Sequence, residues 1–207
     1  MLKAANLSRF SWVEHGFGFR DSEYPDPIAT LRQVHSGRVF EACPPTADRF
    51  AEGDALVTNA PGLRVGVRTA DCVPVLILDE RTRAVAAIHA GWRGTAENIV
   101  SHAVYEMMTR YGTRQEDLHA AIGPSIGACC YEVGNDVALR FDPACRESNA
   151  YIDLPSINER QLTEAGVPDI WIARECTFCL PQRYFSFRRE KEEAGRMISF
   201  IGARESV

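Results

Sequence analysis

Leu63–Thr95 reads LRVGVRTADCVPVLILDERTRAVAAIHAGWRGT, and this stretch decides the fold. Leu63 to Arg68 alternates apolar and polar side chains. Val73 to Leu78 is a continuous run of β-branched residues and leucine, and Ala84 to Ile88 is short and apolar. All three have the length and composition of strands. Asp79, Glu80, Arg81 and Thr82 supply a tight hairpin turn between the second and third. Beyond Gly94, apolar residues recur at Ile99, Val100, Ala103, Val104, Met107, Met108 and Tyr111. That is the stripe of a helix about four turns long at ~3.6 residues per turn. Gly94 or Thr95 is positioned to cap it and Gly112 to end it. The stripe is core, and its methionines need no cofactor.

Outward from the centre, Leu118 to Ile122 reads as a strand running into the loop Gly123 to Gly127. Helices are expected over Asn135 to Arg140 and Pro155 to Ala165, the latter stopped by Gly166, and late strands over Asp169 to Ala173 and Arg196 to Ile201. Strands and helices do not alternate regularly, and a hairpin occupies the centre. The expected class is therefore α+β, a mixed β-sheet core flanked by helices, not a doubly wound parallel sheet. With 207 residues, 45% hydrophobic and 25% charged, residues 1–207 fit a single domain. There is no internal repeat or low-complexity segment.

A net charge of -5 argues against a general nucleic-acid binder. Lys3 and Lys191 are the only lysines, so arginine carries the positive charge, and arginine suits planar recognition of phosphate or carboxylate. Met1 to Phe10 lacks the apolar region of a secretory signal, and no stretch approaches the roughly 20 apolar residues of a membrane span. A cytoplasmic protein without membrane partners is expected. Seven cysteines read poorly as a disulfide framework and better as reduced thiols. Cys176 and Cys179 have C-x-x-C spacing, but no second such pair completes a zinc knuckle, so they are expected to be structural thiols. Adjacent Cys129 and Cys130 are expected to diverge and not to share a metal. Cys43 and Cys145 carry no local signal.

Three residues stand out at the ends of apolar stretches: His35 in Leu-Arg-Gln-Val-His-Ser, Cys72 in Thr-Ala-Asp-Cys, and His89 in Ile-His-Ala-Gly-Trp-Arg-Gly-Thr. Singly, each is an ordinary core or surface residue. Together, two imidazoles and a thiolate make a three-ligand zinc set with a fourth position open to water or substrate. Gln33 and Ser36 bracket His35, Asp71 precedes Cys72, and Gly91 and Arg93 follow His89, so each has polar neighbours able to orient it. The segment after His89 also reads as an anion site, with small residues, a helix N-terminus and the Arg93 fork suited to phosphate. The plainer alternative is a tight turn whose glycines serve geometry. Two more loops can complete a pocket: Gly123 to Val133, with Cys129, Cys130, Tyr131 and Glu132, and Tyr184 to Arg189, whose aromatic residues read first as sheet core.

Taken in order, several stretches resemble the multicopper polyphenol oxidoreductase, or laccase-domain, family, also called YfiH/YlmD-like. They are Leu31 to Ser36, Gly53 to Thr58, Thr69 to Val75, His89 to Thr95, Gly123 to Gly127, Cys130 to Gly134, and Phe185 to Arg189 with Gly195-Arg196. The resemblance implies a fold related to that of cysteine-dependent toxin deamidases. It implies zinc on His35, Cys72 and His89 as the catalytic set, with copper possible from the family name. It implies phosphorolysis of adenosine, inosine and methylthioadenosine, and deamination of adenosine, with purine nucleoside and phosphate as partners. Arg93, Gln33, Asp71 and Arg20 are the expected substrate contacts. Arg20 matches an early family arginine, although the link Asp21 to Thr30 is shorter here than the family's. The alternatives are a cysteine-dependent hydrolase using Cys72 with His89 or His35, a peptidoglycan-precursor editing factor, and, more distantly, a copper polyphenol oxidase. Five histidines and no His-x-His pair are too few for a trinuclear copper centre.

Overall fold

The computed structural model describes residues 1–44, 51–142 and 151–205; Cys145 lies outside them. In chain order the elements are β1 (Val13–Phe17), β2 (Val39–Glu41), β3 (Ala55–Thr58), β4 (Arg64–Thr69), β5 (Val73–Asp79), β6 (Val85–Ala90), α1 (Trp92–Ala96), α2 (Ile99–Tyr111), β7 (Leu118–Ile122), α3 (Asn135–Ala138), α4 (Leu154–Glu164), β8 (Asp169–Ile172), α5 (Phe187–Glu190) and β9 (Met197–Ala203). Six strands form a mixed sheet in the order β2-β3-β6-β5-β7-β8, and three form a second sheet in the order β1-β9-β4.

The continuous apolar run of β5 is explained by burial on both faces. Val73, Val75 and Ile77 point toward α2 and α4, in one core cluster with Ile99, Ala103, Val104 and Leu162. Leu76 and Leu78 point the other way, onto Phe17, Val65 and Ile201 of the small sheet. Three layers result: helices, six-stranded sheet, three-stranded sheet. Each fully buried Leu, Ile or Val in them contributes about 1.5–3 kcal/mol. The β5–β6 hairpin closes on Asp79, whose carboxylate accepts the N–H groups of Arg81 at 2.8 Å and Thr82 at 2.9 Å. Here α+β architecture with mixed sheets is observed as the sequence predicts. None of the described helices is long and apolar enough to cross a membrane.

Two details differ from the sequence reading, and both shape the site. The central strands are divided between two sheets: β4 pairs with β9 in the small sheet, while β5 pairs with β6 and β7. The chain changes sheets through Ala70-Asp71-Cys72, with Asp71 at φ 90°. The central helix is also broken in two. Asn98 adopts a left-handed φ of 57° between α1 and α2, and neither Gly94 nor Thr95 caps α2. Thr95 is buried, and its Oγ1 accepts from Asn158 Nδ2 of α4 at 3.1 Å. Tertiary bonding thus takes the side chain that local capping would have used.

Gly112 ends α2 as expected, at φ 64°, where an added Cβ would meet nothing within 4 Å. Gly112→Ala should therefore cost only the backbone penalty of a left-handed residue, about 1–2 kcal/mol. Urea unfolding should show that loss without a change in m-value.

Candidate metal centre and its cavity

His35, Cys72 and His89 come from three separate parts of the chain, and their ligand atoms lie within 4.8 Å of one another. Each is delivered by a different device. His89 sits near the end of β6, opposite Pro74 of β5. Cys72 sits at the crossing between sheets, immediately before β5. His35 is on the loop before β2, with φ 60°. The two imidazole rings meet edge to face, centroids 4.8 Å apart.

Asp54, directly before β3, organises both histidines and is 0% exposed. Its Oδ1 lies 2.8 Å from His89 Nδ1. That bond turns His89 Nε2 toward Cys72. The same carboxylate accepts His35 N–H at 2.9 Å, Ser36 N–H at 2.6 Å and Ser36 Oγ at 2.8 Å. These bonds hold the loop, and with it the left-handed backbone of His35. Burial pushes the Asp54 carboxyl up, but hydrogen bonds from His89 and Ser36 outweigh it and hold it at about 2. Gly91 is required by close approach: a Cβ there would stand 2.9 Å from His35 Cδ2 and 3.1 Å from Cys72 Sγ. The glycine after His89 therefore serves ligand geometry.

Burial alone would raise the Cys72 thiol, yet the charge of His89 and the bonds from His35 and His89 draw it down to about 6. Burial would likewise lower His89, and the charge of Cys72 with the bond to Asp54 raises it to about 9. Without a cation the two form a thiolate–imidazolium pair. One thiolate and two imidazoles, one fixed by a carboxylate, suit a first-row transition metal, and such oriented ligands are typical of metal sites.

The trio opens into a cavity of about 670 Å³, within the range that takes small molecules. Arg68, Arg188, Lys191 and Arg196 stand on its wall, with Tyr131 and Phe187. Asp71 is the one carboxylate on this lining among the described residues, and it is bonded to Thr177 Oγ1 at 2.7 Å, Ser186 Oγ at 3.1 Å and Arg188 N–H at 2.7 Å. It thereby fixes the chain segment that carries Phe187 and Arg188.

Of the other expected contacts, Gln33 lines the cavity but pairs with the backbone of Arg68, donating to its carbonyl and accepting its N–H, both at 2.8 Å. The structure does not bring Arg93 or Arg20 to this lining. Arg93 is exposed and stacks on Trp92 at 4.3 Å. Among the described residues the basic side chains on the lining are those of the opposite wall, while Gly91 packs against His35 and Cys72 beneath it. Arg20 stacks on Phe185 at 4.2 Å and pairs with Glu190 at 2.7 Å, a structural tie. Tyr184 is wholly buried, as the core reading of its segment expects, whereas Phe187 is exposed to the cavity. Sequence reasoning gave Asp54 no role; its signal was an acid directly before a mostly apolar strand that is buried throughout.

Comparison with known proteins gives the family. The family model for multi-copper polyphenol oxidoreductase laccase matches residues 17–204. The chain belongs to that family. A purine nucleoside phosphorylase of Deinococcus radiodurans is 41% identical over 184 residues, covering 86% of this chain and 70% of the relative. An adenosine deaminase RL5 from an unknown prokaryotic organism is 39% identical, covering 85% of this chain and 75% of the relative. The crystal structure of YlmD from Geobacillus stearothermophilus superposes with a TM-score of 0.79 at 35% identity, covering 86% of this chain and 74% of that one. By sequence, the chain spans 60% of the length of the Geobacillus stearothermophilus purine nucleoside phosphorylase YlmD.

Two outcomes follow from the geometry. Asp54→Asn should weaken metal retention about 10–100-fold in chelator competition, the range for loss of a ligand-orienting partner. Unchanged retention would contradict the role given to Asp54. In metal-stripped protein, the Cys72 contribution to stability is complete above the free thiol's 9.0 and lost as pH falls through about 6. The His89 contribution is complete below 6.5 and lost as pH rises through about 9. Each shift rests on the partner's charge, so the pair stabilises only where Cys72 is ionised and His89 protonated, between about 6 and about 9. Tm of the stripped protein should drop on either side of that window, more than in a Cys72→Ala variant.

Proposed function

We propose that this chain is a zinc-dependent purine nucleoside enzyme, converting adenosine, inosine and methylthioadenosine with phosphate to free base and ribose 1-phosphate or its methylthio analogue. The same site would convert adenosine and water to inosine and ammonia. The observation that carries this reading is the opening of a His–Cys–His set onto a basic cavity. Its size accommodates a nucleoside beside a phosphate. The names of the relatives support both activities.

His35, Cys72 and His89 would hold the zinc, which would supply Lewis-acid polarisation of phosphate or water. The chain's own residues do the rest. Arg68, Arg188, Lys191 and Arg196 attract and orient the phosphate and offset charge that develops as the glycosidic bond breaks. Arg188 also stacks on Tyr131 at 5.5 Å. Burial raises Tyr131 to about 12, so its hydroxyl stays protonated and donates. Tyr131 and Phe187 offer faces to a purine.

The cysteine-hydrolase reading also has a specific observation behind it: Cys72, His89 and Asp54 line up as nucleophile, base and orienting acid. The second imidazole favours the metal. His35 faces the same thiol, a position surplus to a hydrolase triad and needed in a three-ligand set.

Adenosine supplied without phosphate should give inosine alone; with phosphate, free base and ribose 1-phosphate should appear. Both should vanish on chelation and return with zinc. No product under any condition overturns the nucleoside reading, and full activity in metal-free protein, abolished by thiol alkylation, supports the hydrolase. Arg68→Ala should raise the phosphate KM about tenfold, the loss of roughly 1.4 kcal/mol expected for one charge-assisted hydrogen bond, with deamination unaffected.

A further inference from the structure

Away from the cavity trio, a second cluster of metal-ligating side chains is present. Cys129, Cys130, Cys176 and Cys179 bring four Sγ atoms within 4.8 Å of one another. We infer that these four thiols form a second, tetrathiolate zinc site that clamps the loop carrying Tyr131 to the segment leading to Arg188.

The sequence reading separates these cysteines because the C-x-x-C pair has no second pair and adjacent cysteines usually diverge. Long-range pairing overrides that. Ser125 and Cys176 form a parallel bridge, with Ser125 N–H on Glu175 O at 3.3 Å and Thr177 N–H on Ser125 O at 2.9 Å. The bridge sets the turn at 128–130 against the turn at 177–179. Cys130 N–H donates to Gly127 O at 2.9 Å, and within that tight turn both adjacent thiols face the C-x-x-C pair. Cys179 Sγ lies 3.3 Å from Cys130 Sγ and 3.8 Å from Cys129 Sγ. Sulfurs around a tetrahedral zinc with bonds of about 2.3 Å stand about 3.8 Å apart. The spacing is therefore close to that of a filled site.

The backbone around Cys176 fits a thiolate. Gly127 N–H donates to Cys176 Sγ at 3.3 Å, a bond that favours the anionic sulfur. The Arg189 guanidinium lies behind the C-x-x-C turn, donating to Thr177 O at 2.9 Å and Phe178 O at 2.6 Å. Its charge is paired with Glu190 at 2.7 Å, so it braces the turn that carries the two cysteines. On binding, each thiol gives its proton to solvent, four protons for one Zn²⁺. A structural site is closed by four protein ligands, so this centre is assigned no turnover. Its effect is mechanical, because Thr177 in the clamped segment bonds Asp71 and Tyr131 follows Cys130 directly.

The test is zinc analysis of the whole chain purified without oxygen, beside His35→Ala/His89→Ala and Cys176→Ser/Cys179→Ser double variants. The histidine variant should keep one equivalent, and its cobalt-substituted form should show the intense sulfur-to-cobalt absorption of a tetrathiolate. The cysteine variant should lose one equivalent relative to the parent and unfold at lower temperature. A histidine variant that binds no zinc overturns the inference, whether its thiols react freely with a thiol reagent or its mass shows the loss of two hydrogens per disulfide. Should the cysteine variant fail to fold, the histidine variant decides alone. The metal count is read without nucleoside, so it stands or falls separately from the proposed activity.

Discussion

The whole arrangement depends on one buried carboxylate. Asp54 is withdrawn from water, a situation that costs several kcal/mol unless the charge is fully bonded. Here its oxygens accept from His89, from the backbone of His35 and from both donors of Ser36. The β3–β6 register, with Ala55 opposite Ile88, puts Asp54 level with His89. A backbone bond from His89 N–H to Asp54 O at 2.7 Å repeats the link. One side chain thus fixes the orientation of one ligand and the backbone of another.

Asp71 plays a comparable part on the other wall. It stands where the chain leaves the small sheet for β5, one residue before Cys72, and its carboxylate gathers Thr177, Ser186 and the Arg188 N–H. The sheet crossing that positions the thiol therefore also positions the basic segment across the cavity. Folding and site assembly are coupled at this corner: the same residue sets strand departure, ligand placement and cavity shape.

Much of this was legible in the sequence. The run Val73 to Leu78 announced a strand, the hairpin around Asp79 was local, and the α2 stripe needed only helical period. The residue types at 35, 72 and 89 suggested a metal set, though nothing local showed that they meet. What was not legible depends on contacts distant in sequence. Arg93 looked like a phosphate partner because it follows a ligand in a glycine-rich turn, yet its neighbour Trp92 takes its guanidinium. Arg68, Arg188 and Arg196 lie on β4, α5 and the approach to β9, and only sheet pairing puts them on one wall. The four clustered cysteines were read as two separate pairs for the same reason, since a bridge between Ser125 and Cys176 joins two turns about 50 residues apart in the chain.

Anomalous diffraction at the zinc edge, on crystals of the full chain grown without chelator, tests the metal centre most directly. A peak should lie within about 2.0–2.3 Å of one nitrogen of His35, Cys72 Sγ and His89 Nε2, with its remaining position facing the basic cavity. No peak there, with Cys72 Sγ bonded to His89 alone, would contradict a metal centre and leave the thiolate–imidazolium pair as the chemistry of the site.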